Sequence, residues 1–124
     1  MPNHIHLLWE MLEMNGKEMP HASFLKFTAH SFKEELKSNH PEILSKFNVN
    51  EIDRTYRFWQ RDALAIKVDD KTIAEQKLFY IHHNPLQDHW NLSTKPEDYY
   101  WSSAAFYEKD QYHFNFLTHY HQKF

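Results

Sequence analysis

Apolar and polar residues alternate at the start of the chain, Met1-Pro-Asn-His-Ile-His-Leu-Leu8, and the alternation predicts a strand over residues 3–13. With a period of two, His4 and His6 share one face, roughly 7 Å apart at the backbone, and Ile5 and Leu7 point to the other. Asn15-Gly16 and Pro20 mark a turn over Met14 to Pro20. The spacing then lengthens to three and four. Phe24, Leu25, Thr28, Phe32 and Leu36 predict a helix from about His21 to Ser38, with Ser23 as a candidate cap. Asn39-His40-Pro41 ends it, because a residue before proline avoids the helical region. Residues 41–53, with Ile43, Leu44, Phe47 and Val49, fit a short helical turn or an ordered loop.

In the second half, Tyr56 to Gln60 reads as a short aromatic strand. Arg61-Asp62 interrupts it, and Ala63 to Val68 continues as extended or irregular chain. Asp69-Asp70 stands where an N-cap belongs, and Thr72-x-x-Glu75 resembles a capping box. The helix that follows runs to about His83 and stops at Pro85. Ala74, Leu78 and Ile81 form its core stripe, and Ile73, Lys77, Tyr80 and Asn84 form an adjoining one. Leu86 to Leu92 is a loop with Trp90 as its anchor. Pro96 fits the first position of a short helix covering Tyr99 to Tyr107, with Glu97 and Asp98 at its positive end. The tail from Gln111 is rich in aromatic residues and histidine. No repeat or linker divides residues 1–124, so a single domain is expected.

Composition narrows the chemistry. Aromatic residues make up 17% of the 124 positions, with Trp at 9, 59, 90 and 101, which fits a folded chain with a real core. No apolar run approaches 18 residues, so no membrane span is expected. No secretory signal is visible, and a cytoplasmic protein is the default expectation. The absence of cysteine excludes disulfide and thiolate chemistry. Gly16 is the only glycine, which excludes a P-loop or a dinucleotide fingerprint, since both need several glycines for close approach to phosphate. A net charge of −3 does not favour nucleic acid as a partner. The balance is local, however. Arg54, Arg57, Arg61, Lys67, Lys71 and Lys77 gather in mid-chain, and Lys26, Lys33 and Lys37 lie on one predicted helix. Interleaved acidic residues make a solvated mixed-charge surface the competing reading.

Two features carry possible catalytic chemistry. His4 and His6, two imidazoles on one strand face, can ligate a metal together. The chain has 11 histidines, so a chance His-x-His pair is the alternative. Tyr80 and Asn84, four residues apart, share a helix face. Tyr80 offers a phenol, and Asn84 offers a carbonyl oxygen suited to a hard cation such as Mg²⁺ or Mn²⁺. If this face meets the histidine strand, all four groups converge. In the plainer reading, Tyr80 packs against the sheet and Asn84 caps the helix before Pro85.

Pro2-Asn-His-Ile-His-Leu-Leu8 resembles the HUH motif of single-tyrosine transposases, and Tyr80-Ile-His-His-Asn-Pro85 resembles their tyrosine-bearing helix motif. Phe58-Trp-Gln-Arg61 and Pro96-Glu-Asp-Tyr-Tyr-Trp-Ser-Ser103 are similar to segments flanking that helix in the REP-associated tyrosine transposases. The four matches occur in the family's order across nearly the whole chain. The resemblance implies a ferredoxin-like α/β sandwich with an antiparallel sheet and helices on one face. It implies a metal-dependent enzyme of DNA transposition that nicks and rejoins single-stranded or hairpin DNA through a covalent 5′-phosphotyrosine. On this likeness His4, His6 and Asn84 are the metal ligands and Tyr80 is the nucleophile. His83 stands where the family usually has asparagine. Family members also carry a further strand before the motif, so the resemblance leads one to expect either an N-terminally truncated relative or a strand supplied by another chain, and with an unpaired sheet edge a homodimer or a marginally stable monomer. A remnant that binds DNA without cleaving it, and a small metal-binding protein with no DNA role, are the competing functions.

Overall fold

Pro20 begins the longest element of the chain. In the computed structural model, which describes residues 1–61 and 64–124, α1 spans Pro20–Asn39, α2 Pro41–Leu44, α3 Lys71–His83 and α4 Ala104–Lys109. Short 3-10 turns at Ser45–Phe47, Asn84–Leu86, Pro96–Asp98 and Tyr120–Gln122 join or extend them. The expected interruption at Asp62 and the start of the extended run at Ala63 lie outside the described residues. The chain divides into two compact units, one of Met1–Trp9 with Ile66–Phe124 and one of Glu10–Ala65.

The helices and turns replace the expected sheet. Among the described residues there is no β-strand, and the only β pairings are the isolated bridges Asn15–Glu18 and Asn48–Tyr56. This overturns the ferredoxin-like α/β sandwich with an antiparallel sheet, together with the strands expected at 3–13 and 56–60. The reason lies in pairing. Alternation makes a segment extended, but a sheet needs a neighbour to take its N–H and C=O groups. Residues 4–8 make no backbone–backbone hydrogen bond among the described residues. Around Tyr56 the ladder among the described residues is Val49 N–H donating to Thr55 C=O and Arg57 N–H donating to Phe47 C=O, both at 2.9 Å.

In the unit of residues 10–65, Gly16 takes the left-handed conformation, φ 62°, that closes the Asn15–Glu18 turn. Met19, extended, then leads into Pro20, whose missing N–H costs nothing in a first helical turn. Ser23 is therefore not the cap. Its hydroxyl donates to Glu18 Oε2 at 2.8 Å and accepts from Asn15 Nδ2 at 3.0 Å. α1 ends as expected before Pro41, with His40 N–H donating to Leu36 C=O. None of its residues is fully buried, and among the described residues of this unit Leu44 of α2 is the buried apolar one. Phe24, Phe32, Phe47, Phe58 and Trp59 pack ring to ring in the same unit. Trp59 Nε1–H donates to Thr28 Oγ1 at 2.9 Å, which satisfies the indole as its ring is covered.

In the other unit, Asp70 is the N-cap of α3 and accepts Ile73 N–H at 2.9 Å, a bond worth about 1 kcal/mol at such a position. α3 buries Ala74, Leu78 and His82, one residue round from the expected Ala74–Leu78–Ile81 stripe. Pro85 converts its end to the 3-10 turn Asn84–Leu86. α4 supplies Ala104, Ala105 and Phe106 to the same core. Burying Leu78 and Phe106 contributes roughly 1.5–3 kcal/mol each. The helix expected over Tyr99 to Tyr107 is split, with a 3-10 turn at Pro96–Asp98 and α4 beginning only at Ala104. Among the described residues no helix is long and apolar enough to cross a membrane.

Candidate functional site

All four candidate residues lie in the unit of Met1–Trp9 and Ile66–Phe124. The N-terminal segment keeps the exposure rhythm of a strand without its ladder: His4, His6 and Leu8 are half-buried, and Ile5, Leu7 and Trp9 are exposed. Its histidine side is turned inward, towards the end of α3. The His4 and His6 rings are 4.8 Å apart between centres and nearly perpendicular. The His6 ring meets the Tyr80 ring at 5.4 Å, edge to face. Asn84 Nδ2 donates to His6 Nε2 at 2.9 Å.

Each side chain is placed by the chain around it. Asn84 follows the last residue of α3, and its N–H donates to Tyr80 C=O, so the two residues stay one turn apart on one face. Asn84 is only 3% exposed, whereas Tyr80 is 51% exposed. The loop after Pro85 folds back: Leu92 N–H donates to Pro85 C=O at 2.9 Å, and Trp90 and Asn91 both donate to Gln87 C=O. This return brings Trp90 to 5.5 Å from the His4 ring, where it forms an apolar wall. Asn3 Oδ1 accepts His4 Nδ1–H at 2.7 Å, which leaves His4 Nε2 with its lone pair free.

The electrostatics favour neutral imidazoles. Burial holds the pKa of His4 below the ordinary histidine value, and the Met1 ammonium adds to the effect. Burial also lowers His6, followed by the neighbouring His4 and the Met1 ammonium. A neutral ring is the form that ligates metal.

His4, His6 and Asn84 are the side chains here that could hold a divalent cation. The His4 and His6 rings, 4.8 Å apart between centres, are near enough for both to reach one cation. A half-turn of the Asn84 amide exchanges its nitrogen for its oxygen and gives a third, hard donor. Among the described residues no group of three or more His, Cys, Asp or Glu side chains is placed to hold a metal. Three protein donors with one amide oxygen leave room for water and phosphate oxygens, a balance that suits Mg²⁺ or Mn²⁺.

Three features of this unit go beyond the sequence expectations. The Asn3 bond to His4 is one; its only signal in the chain is a polar residue next to a candidate ligand. The second is the place of Trp90, since nothing in the sequence directs that loop anchor at His4. The third is His82, which is buried with Nε2 2.9 Å from Ser103 Oγ. Burial, and then the neighbouring His83, push its pKa down to about 4. The spacing 74–78–82 carries that signal. No protein-family model, curated protein or solved structure matches this chain.

Proposed function

We propose that this chain is a metal-dependent enzyme that nicks and rejoins single-stranded or hairpin DNA through a covalent 5′-phosphotyrosine, the chemistry of DNA transposition. The observation that supports it is the meeting of His6 with Tyr80 at 5.4 Å and with Asn84 at 2.9 Å, although the residues are far apart in the chain. A divalent cation held by His4, His6 and Asn84 would supply neutralising charge at the scissile phosphate. The exposed Tyr80 phenol is free to approach a phosphorus atom. Its oxygen forms the new P–O bond as the P–O3′ bond breaks. The phenolic proton is lost, and the departing 3′ oxygen takes up a proton to become a hydroxyl. The tyrosyl phosphodiester conserves the energy of the broken bond, so attack by a 3′-hydroxyl reverses the step without ATP. Asn3 holds the His4 ring in orientation, and Trp90 shields one side of it from water. A cytoplasmic location and a homodimer belong to the same reading.

The test is incubation of labelled hairpin and single-stranded oligonucleotides with the protein and Mn²⁺, followed by denaturing electrophoresis. The expected product is a protein–DNA adduct that disappears in Tyr80→Phe and in chelator. No nicking of any strand would overturn the reading. A second reading, a DNA-binding remnant without catalysis, is favoured by one observation: the Asn84 amide donates into the His6 lone pair that a metal needs. It predicts retained strand binding with neither adduct nor Mn²⁺ binding.

A further inference from the structure

Tyr80 has different neighbours on its two sides along α3. At 3.6 residues per turn, each residue advances about 100°. Relative to Tyr80, Asn84 and Lys77 fall roughly 40° and 60° to one side, and His83 and Phe79 roughly 60° and 100° to the other. Both flanks carry features that packing does not use.

On the first flank, Lys77 is half-buried and makes no ion pair among the described residues. Lys67, Lys71 and Lys109 of the same unit are engaged. Lys67 pairs with Asp69 at 2.6 Å and Lys71 with Glu75 at 3.8 Å, and farther along the unit Lys109 pairs with Glu97 and Asp98. Lys77 therefore keeps its charge available one turn before Tyr80.

On the second flank, the Phe79 and His83 rings are stacked, 3.9 Å between centres and 23° from parallel. The His83 ring is held in this orientation by its Nδ1–H, which donates to Phe79 C=O at 2.9 Å. Phe79 is nonetheless 64% exposed, so the pair adds little to the core. It is a rigid, flat aromatic surface held open to solvent next to a phenol.

We propose that these two flanks bind one nucleotide of a single strand, with Lys77 holding the phosphate beside Tyr80 and the adjoining base stacked on the Phe79–His83 pair. The inference rests on the reading of the chain as an enzyme of single-stranded DNA and assigns the part of α3 that seats the strand. The charge of Lys77 complements a phosphodiester, and a flat aromatic surface accepts any base, so this contact is tolerant of sequence. His83 enters as the inner ring that stiffens the platform.

The experiment is equilibrium binding of a short single-stranded oligonucleotide carrying 2-aminopurine, in chelator so that no cleavage occurs. The wild-type protein should quench the fluorescent base. Phe79→Ala should lower affinity roughly tenfold, and Phe79→Trp should retain it. Lys77→Gln should flatten the slope of log affinity against log salt by about 0.7, the share of one phosphate on a single strand, and Lys77→Arg should restore it. Circular dichroism of each variant checks folding, and the exposed Phe79 is not needed for the core. Unchanged affinity in Phe79→Ala together with an unchanged salt slope in Lys77→Gln would overturn the inference, even if the wild type still nicked DNA with Mn²⁺. The expected losses in both variants, in a protein that never nicks, would support the inference and overturn the catalytic reading. No quenching and no binding by the wild type would overturn both.

Discussion

Asn84 and His6 are joined by a hydrogen bond of 2.9 Å across 78 positions of sequence. The amide is almost fully buried and the imidazole is half-buried, so the bond fixes the N-terminal segment to the end of α3. It also sets the state of the site. While Nδ2 donates, His6 Nε2 is an acceptor and its proton sits on Nδ1. Asn84→Ala should loosen this junction by about 1 kcal/mol, the usual net worth of such a bond. It should also weaken Mn²⁺ binding. Asn84→Asp, with a charged oxygen at the same place, should tighten it. Titration calorimetry with Mn²⁺ reads both, and equal affinities across the three proteins would remove Asn84 from the ligand set.

His4 and His6 predict a sharper loss. Both rings are half-buried and neither belongs to a helix, so removing them should leave the helical content intact. The double variant His4→Ala with His6→Ala should have no measurable Mn²⁺ binding in calorimetry and no nicking. An unchanged affinity would show that this pair is not the metal site.

Tyr80 separates chemistry from binding. Its side chain is more than half exposed, so Tyr80→Phe should change stability by no more than about 0.5 kcal/mol. The variant should bind Mn²⁺ as the wild type does and form no covalent adduct with DNA. A surviving adduct, located by peptide mass mapping, would place the nucleophile on another residue.

The two long helices are legible in the sequence, whereas the sheet that its alternation suggests does not form among the described residues. The three-and-four spacing from Phe24 to Leu36 and the Asp70–His83 pattern carry their own hydrogen bonds, and each lies within a few residues of its expected span. Strand pairing is non-local, so the alternation of His4, Ile5, His6 and Leu7 sets which side each residue faces without supplying a partner. The same limit applies to the site. Helical spacing places Tyr80 and Asn84 on one face. Their approach to His6 depends on how the N-terminal segment lies against the helix end, which no local pattern encodes. His82 is hidden because histidine reads as polar, although its register with Ala74 and Leu78 puts it in the core.

His82 should make the protein acid-sensitive. Its pKa falls from the ordinary 6.5 to about 4 in the folded chain, chiefly through burial and then through the charge of His83. The groups facing it, Ser103 Oγ at 2.9 Å and the Tyr107 ring at 5.5 Å, are neutral and cannot compensate an imidazolium. Between these two pKa values the unfolded chain binds a proton that the folded chain refuses. Stability is therefore complete above pH 6.5 and lost progressively as pH falls towards 4. A tenfold difference in proton affinity corresponds to about 1.4 kcal/mol, so the loss attributable to His82 is on the order of 3 kcal/mol. His4 and His6, also lowered by burial, act in the same direction. Urea unfolding in chelator from pH 7.5 to pH 4 should show this decline. His82→Gln, which keeps a polar atom for Ser103 but cannot titrate, should start less stable at neutral pH and decline less steeply. A parallel decline in the two proteins would assign the acid sensitivity to other groups.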